Sequence, residues 1–544
     1  MSGAASDKRV TVDQIHKAVS TNDIGTAIRL AQQAHAEGLE DASVLNLVAY
    51  QLELDGKNDE ALALLHRAFE LDRRDHFILN SIGVIHAKSE RPMEALRAFD
   101  AALAIDPDMA PAHNGRGLAL QALGDVEGAL LAHKRAASLA PDFADPLGAL
   151  AALAAERKEW AEASTLAGKA LALDPDQPAA AMALATVELN NGDAAAAEAR
   201  MGRLVATGQL APLHVAGARN IQADALEALD KPEEAMAAYI AANKETRAVQ
   251  VGALAGVELG VDMAHRLIDY FGKASPEAWR PIPESGDQPG RELGHVFLVG
   301  FARSGTTLLE QVLASHGRFV ALEEKHTVDD AILEFFPDDA SLHRLAALDE
   351  AGAQHWRDLY WANVRRFGVE PEGKVFVDKL PLHTVYLPAI AKLFPRAKIL
   401  LARRDPRDVV VSCFRRRFRP NPLVVEFTDL ERTAELYASA MRLADIYGRL
   451  LTLPVHVHRH EDLVEDLDAE TQAICEFIGV DWDENMRNFV ETANKRDIRT
   501  PSAQQVRRGL YREGMGQWRR YGATIDPIKP ILAPIVEAFG YPKD

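Results

Sequence analysis

Alanine recurs at a step of 34 residues through the first half of this 544-residue chain, at Ala27, Ala61, Ala95, Ala129, Ala163 and Ala197. A second register in the same phase runs through Ala34, Ala68, Ala102, Ala136 and Ala170, and Ala49, Gly83, Gly117, Ala151 and Ala185 stand between successive pairs. That step fits two antiparallel helices and their turns, and such helices approach closely only where the side chains at their crossing are small. Pro107, Pro141 and Pro175 share one repeat position, where proline ends the second helix and sets the turn into the next; Arg73 stands there one repeat earlier. The pattern predicts a stacked helical array of six to seven repeats. It blurs at the end, where Leu204 replaces an alanine and Ala235 and Ala242 arrive four residues late.

This pattern resembles the tetratricopeptide repeat (TPR), which implies an α-solenoid over residues 9–247 with a concave surface for a partner. Whether that surface takes an acceptor, a partner or a second copy stays open, because the repeat specifies a scaffold and not its ligand. The apolar pattern continues from Val251 to Phe271 and breaks at Ala274-Ser275-Pro276. Pro281, Pro283, Gly286, Pro289 and Gly290 then read as an exposed boundary, so residues 248–293 connect the array to a second domain at 294–544.

With 48% apolar and 26% charged residues the chain has material for packed cores, which excludes wholesale disorder. The net charge of −19 lies mainly in residues 1–250, where 23 Lys+Arg face 36 Asp+Glu. That argues against a nucleic-acid binder, although Arg415-Arg416-Arg417 is a local basic cluster. Cys413 and Cys475 share no metal-ligand or redox spacing, so neither a disulfide framework nor a zinc site is expected. The first residues lack an apolar signal core, and no uncharged apolar run of about 18 residues occurs. The expectation is a cytoplasmic protein without a membrane span.

His295-Val296-Phe297-Leu298-Val299 is a run of β-forming residues, followed by Gly300-Phe301-Ala302-Arg303-Ser304-Gly305-Thr306-Thr307 and the helical spacing of Leu308, Leu309, Val312 and Leu313. A strand feeding a loop and a helix aims backbone N–H groups and a helix N-terminus at an anion. The glycine spacing copies the triphosphate P-loop but puts Thr306 where that motif requires lysine, which turns the reading away from a kinase or ATPase. Residues 397–412 then read as a strand, a tight turn and a helix start, with Arg404 and Ser412 eight apart. Lys379 closes the strand-like Val375-Phe376-Val377-Asp378, and strand ends beside a switch point are where open α/β folds bind ligands.

The loop Arg303-Ser304-Gly305-Thr306-Thr307, with the Arg404 and Ser412 pair, resembles the sulfotransferase family over almost all of residues 294–544. The resemblance implies a P-loop-like α/β domain with a central parallel sheet that uses 3′-phosphoadenosine 5′-phosphosulfate (PAPS) and no metal. Arg303, Ser304, Gly305, Thr306 and Thr307 are then implied on the 5′-phosphosulfate, Arg404 and Ser412 on the 3′-phosphate. Tyrosylprotein sulfotransferases carry a lysine after a strand and a Glu-Glu pair after the loop helix, matching Lys379 and Glu323-Glu324. The implied catalytic residues are Glu324 as base, Lys379 and Arg303, with His326 and His383 as rival bases.

The stretch from Thr500 to Tyr511 resembles the family's nucleotide-covering segment, Ser502 and Arg508 matching its polar and cationic positions. Trp518-Arg519-Arg520-Tyr521 either closes over the donor or packs the final helix. His460 stands where the family has a tyrosine that meets the base, and Glu513 where a small hydroxyl residue is common. The implied activity is sulfuryl transfer to an unidentified hydroxyl acceptor: a peptide, glycan, lipid or small molecule. The TPR surface would hold that acceptor or a protein partner. The alternatives are a small-molecule kinase and a TPR interaction protein with an inactive nucleotide-binding domain.

Overall fold

A computed structural model describes residues 12–21, 23–284, 292–496, 498, 500, 502–510, 512 and 514–543. Residue 9, the linker residues Gly286, Pro289 and Gly290, and Pro501, Tyr511 and Glu513 lie outside the described residues. The chain packs as two compact units, Met1–Leu210 and Ala211–Asp544.

In the first unit helix Ile24–Ala36 is followed by the pairs Ala42–Leu54 with Asn58–Leu71, His76–Lys88 with Pro92–Ile105, Ala110–Leu123 with Val126–Leu139, Ala144–Glu156 with Trp160–Leu173, and Pro178–Asn190 with Ala194–Ala206. Aspartates start several of them: Asp23, Asp41, Asp75, Asp125 and Asp193 each accept backbone N–H groups of the first turn. Every alanine of both registers is at most 2% exposed, so the 34-residue step marks the helix crossings of a TPR-type solenoid. A Cβ on Gly83 would stand 2.7 Å from the Phe99 ring and one on Gly117 2.6 Å from the His133 ring, which is why these crossings carry no side chain. His133 is held by Asn114 at 2.8 Å and Gln121 at 3.0 Å, and burial pulls its pKa down to about 4. Ala163→Leu, at a fully buried crossing, should cost about 1–3 kcal/mol. A urea midpoint equal to that of the parent would show that the crossing tolerates bulk.

The second unit opens with α1 (Pro212–Ala228) and α2 (Pro232–Ala253), on which Ala235 and Ala242 are fully buried, and α3 (Gly260–Phe271). Domain divisions at 247 and 293 remain our proposal. Five strands follow: β1 (Gly294–Val299), β2 (Phe319–Glu323), β3 (Val375–Lys379), β4 (Lys398–Arg403) and β5 (Val455–Arg459). They form one parallel sheet in the order β2-β3-β1-β4-β5. Alternate residues bury on opposite faces: Phe297, Val299, Phe376, Ile399 and Leu401 on one, Val296, Leu298, Val375, Val377 and Leu400 on the other. Helices therefore cover both faces, as parallel strands require. The register sets Lys379 beside Leu298 on one side and Glu323 on the other, at the carboxyl ends of the central strands. Among the described residues no helix is long and apolar enough to cross a membrane.

Candidate active site

Between β1 and α4 (Thr306–Ala314) the chain turns through three left-handed positions: Gly300 at φ +154°, Arg303 at +69° and Gly305 at +95°. Such turns direct successive N–H groups to one side and form an anion nest. A Cβ on Gly305 would lie 2.5 Å from Nδ1 of His460, and one on Gly300 2.6 Å from the Ala402 carbonyl. Ser304 Oγ donates to the Phe301 carbonyl at 2.7 Å and holds the loop in shape. Thr306 and Thr307 are buried, with Thr307 Oγ1 3.2 Å from Thr500 Oγ1.

The Arg303 guanidinium gathers the next group of residues. It donates to Ser412 Oγ at 3.0 Å, to Ser502 Oγ and to Gln505 Oε1 at 2.8 Å. Ser412 lies on α5 (Pro406–Phe414), which Asp405 caps by accepting from the Arg407 N–H. Arg404 donates to the Arg303 carbonyl at 3.3 Å and to the Gly514 carbonyl. Arg303, Arg404, Ser412 and Ser502 thus form one cluster, whereas Arg508 is exposed and outside it. Arg404 Nε and His460 Nδ1 are buried without a hydrogen-bond partner among the described residues. Burial, with the Arg404 charge beside it, holds His460 well below its usual pKa and therefore neutral.

Lys379 forms the third part. Its ammonium is fully buried, 2.8 Å from Glu324 Oε1 and 3.3 Å from Glu310 Oε2. Glu310, also fully buried, is 3.2 Å from Arg496, which donates to Gln311 and the Ala321 carbonyl. Burial alone would lower the Lys379 pKa, but Glu310, Glu324 and Glu323 together raise it. Glu324 follows β2 at φ +41°, strained for a residue with a Cβ, and its N–H donates to the Lys379 carbonyl at 2.8 Å. That turn sends its half-buried carboxylate back to the ammonium.

The rival histidines stand apart. His326 is exposed and holds Asp329 at 2.6 Å, which raises its pKa. His383 is buried, which pulls its pKa down to about 4. Trp518 and Tyr521 pack into the unit: Arg407 stacks on Trp518 at 4.0 Å, and Asp408 accepts from the Gly516 and Trp518 N–H groups.

Beneath Lys379 the fully buried Asp378 accepts from Thr327 at 2.6 Å and Tyr360 at 2.8 Å, yet burial still raises its pKa to about 6. A carboxyl raised on folding binds its proton more tightly in the native state, so stability falls as pH climbs from about 4 to 6. Asn can accept both hydrogen bonds without a charge. Asp378→Asn should therefore gain about 2–3 kcal/mol over the parent above pH 6 and little below pH 4. Superimposable urea midpoints across that range would refute this.

Residues 295–484 match the model of the sulfotransferase family. The second unit carries a sulfotransferase domain. An uncharacterized protein of Aquifex aeolicus is 27% identical over 293 residues, covering 50% of this chain and 35% of that protein. Protein-tyrosine sulfotransferase 2 of Gallus gallus is 25% identical over 270 residues, covering 46% of this chain and 70% of the relative. The solved sulfotransferase domain of the Synechococcus PCC 7002 olefin synthase aligns with a TM-score of 0.33 at 21% identity, over 48% of this chain and 99% of that domain. The chain spans only about a third of the Aquifex protein.

Sequence reasoning missed Glu310, Arg496 and Gln505 around the sulfotransferase loop. One signal was present: Glu310 stands among Leu308, Leu309, Val312 and Leu313, where a charge has no reason to be unless it is paired.

Proposed function

We propose that the sulfotransferase domain moves a sulfuryl group from PAPS to a hydroxyl acceptor, with the TPR solenoid holding that acceptor or a partner protein. The observation that carries this reading is the fully buried Lys379 ammonium between Glu310 and Glu324, in register with β1, the strand that feeds an anion loop lacking the triphosphate lysine. The residues fit the donor. Gly300 and Gly305 leave a cradle that side chains would fill, and Arg404 Nε and His460 Nδ1 are buried polar atoms without a hydrogen-bond partner among the described residues.

Arg303, Ser304, Gly305, Thr306 and Thr307 would hold the 5′-phosphosulfate, Arg404 and Ser412 the 3′-phosphate, and Ser502 and Arg508 the covering side. When bound, the donor supplies an activated sulfuryl group and a bisphosphate leaving group. Glu324 takes the acceptor's hydroxyl proton on its carboxylate. Lys379 donates one N–H to Glu324 and lies 3.3 Å from Glu310, and an ammonium keeps further N–H bonds for oxygens that gain negative charge. Glu310 and Arg496 fix that ammonium where water does not screen it, and a fixed charge in a dry site stabilises a transition state most strongly.

Calorimetric titration tests the reading. Adenosine 3′,5′-bisphosphate should bind about a hundredfold more tightly than ATP with Mg²⁺, the margin of two charged hydrogen bonds to the 3′-phosphate. Tight ATP binding without bisphosphate binding would overturn it. Sulfur-labelled PAPS incubated with a cell extract then identifies the acceptor by the fraction that takes the label.

A further inference from the structure

Beyond Ser412 the run Arg415-Arg416-Arg417 turns against α1 and α2, and its three side chains meet different ends. Arg415 is 5.5 Å from the Tyr239 ring and 5.4 Å from the Tyr521 ring and ion-pairs with Glu227 at 3.4 Å. Arg417 donates to the Gly217 carbonyl at 3.0 Å. Arg416 is exposed and makes no hydrogen bond or ion pair among the described residues.

Arg416 and Arg417 both border a cavity of about 250 Å³ within the second unit. Phe418, Val424 and Phe427 give it an apolar wall, and Asn220, Asn243 and Gln250 supply amides from α1 and α2. No aspartate or glutamate is among its described lining residues, in a chain whose net charge is −19. Two arginines lining one cavity with no carboxylate in its described lining favour an oxyanion, which a guanidinium fork binds through paired hydrogen bonds. The aromatic wall favours an apolar body on the same ligand, and the volume, just below the usual range for ligand pockets, limits it to a compact one.

We propose that this cavity is a second binding site, for a compact organic anion with an aromatic or branched body and one phosphate, sulfate or carboxylate head. The site does not depend on the donor assignment. It touches the same helix, however: Asn243 Nδ2 donates at 2.7 Å to the carbonyl of Phe414, the last residue of α5, which carries Ser412.

The test is calorimetry on the full chain with phenyl phosphate, using inorganic phosphate and benzyl alcohol to remove the body or the head. Phenyl phosphate should bind saturably at one site, more tightly than either control, with or without saturating adenosine 3′,5′-bisphosphate. Its affinity should fall about tenfold in Arg416→Gln and in Arg417→Gln, the loss of one charged hydrogen bond, while bisphosphate binding stays at the parent value. Arg416 is exposed and makes no hydrogen bond or ion pair among the described residues, so Arg416→Gln decides the matter even if Arg417→Gln melts early. The proposal fails if phenyl phosphate does not saturate, if bisphosphate displaces it, or if Arg416→Gln binds it as the parent does. Failure of the donor assignment shows instead in the bisphosphate titration alone. The ligand is either the anionic end of the acceptor or a separate effector, and either source keeps the site. With labelled PAPS, 4-hydroxyphenyl phosphate that takes the label marks the first, and bound but unlabelled compound the second.

Discussion

Lys379→Met should lower the rate of sulfuryl transfer by about 10²- to 10³-fold, the scale of removing one preorganised charge from a water-excluded site. Methionine fills the stem's volume but offers no N–H. The bisphosphate should still bind within a few fold of the parent, because Arg303, Arg404 and Ser412 are untouched. The substitution leaves Glu310 with Arg496 as its remaining cation, so some thermal stability is lost as well. A melting temperature shows whether the variant is folded before its rate is interpreted. The pH sign is fixed by the raised pKa: a lysine whose folded value exceeds its unfolded value gives its full stabilisation below the unfolded value and loses it as pH rises through the folded one. Assays near neutrality therefore see only the charged ammonium, and any pH limb observed there belongs to another group. A folded Lys379→Met variant that transfers sulfate within tenfold of the parent would remove Lys379 from the chemistry.

Glu324→Gln should be at least as damaging to rate, by about 10²- to 10⁴-fold, while changing stability little. The glutamine carbonyl can still accept from the Lys379 ammonium, so the 2.8 Å contact survives while proton acceptance and one of the charges that hold the ammonium are lost. The neighbouring Glu310→Gln provides the contrast. It touches the ammonium at 3.3 Å from a fully buried position, so its loss should register mainly in stability and in the placement of Lys379. If Glu324→Gln turns over normally while Glu310→Gln does not, the roles of the two carboxylates are exchanged. If both turn over normally, the base lies elsewhere.

The solenoid was legible because its physics is local and repeated: Ala129 and Ala163, like the other alanines of the 34-residue step, are fully buried at helix crossings where a larger side chain has to displace its neighbours. β1, β3 and β4 were legible from short runs of β-forming residues, one of which ends on Lys379, whereas β2 was not read as a strand. What escaped was pairing across distance. Arg496 meets Glu310 only after the chain between them has folded back, and no spacing in the sequence encodes that meeting. The left-handed turn at Glu324 was equally invisible, since a glutamate gives no hint of positive φ. His460 was read as a departure at a tyrosine position, but its nearness to Gly305 emerges only once β5 lies beside β4.

The parallel sheet has a consequence for biosynthesis. Each crossing in the solenoid joins residues about one repeat apart, so that unit can form progressively as it leaves the ribosome. The contacts around the phosphate loop join Arg303 to Ser502 and Arg404, and Lys379 through Glu310 to Arg496, groups gathered over about two hundred residues of chain. Contacts of such separation close late. A nascent chain therefore completes its helical solenoid well before the contacts around the phosphate loop can close.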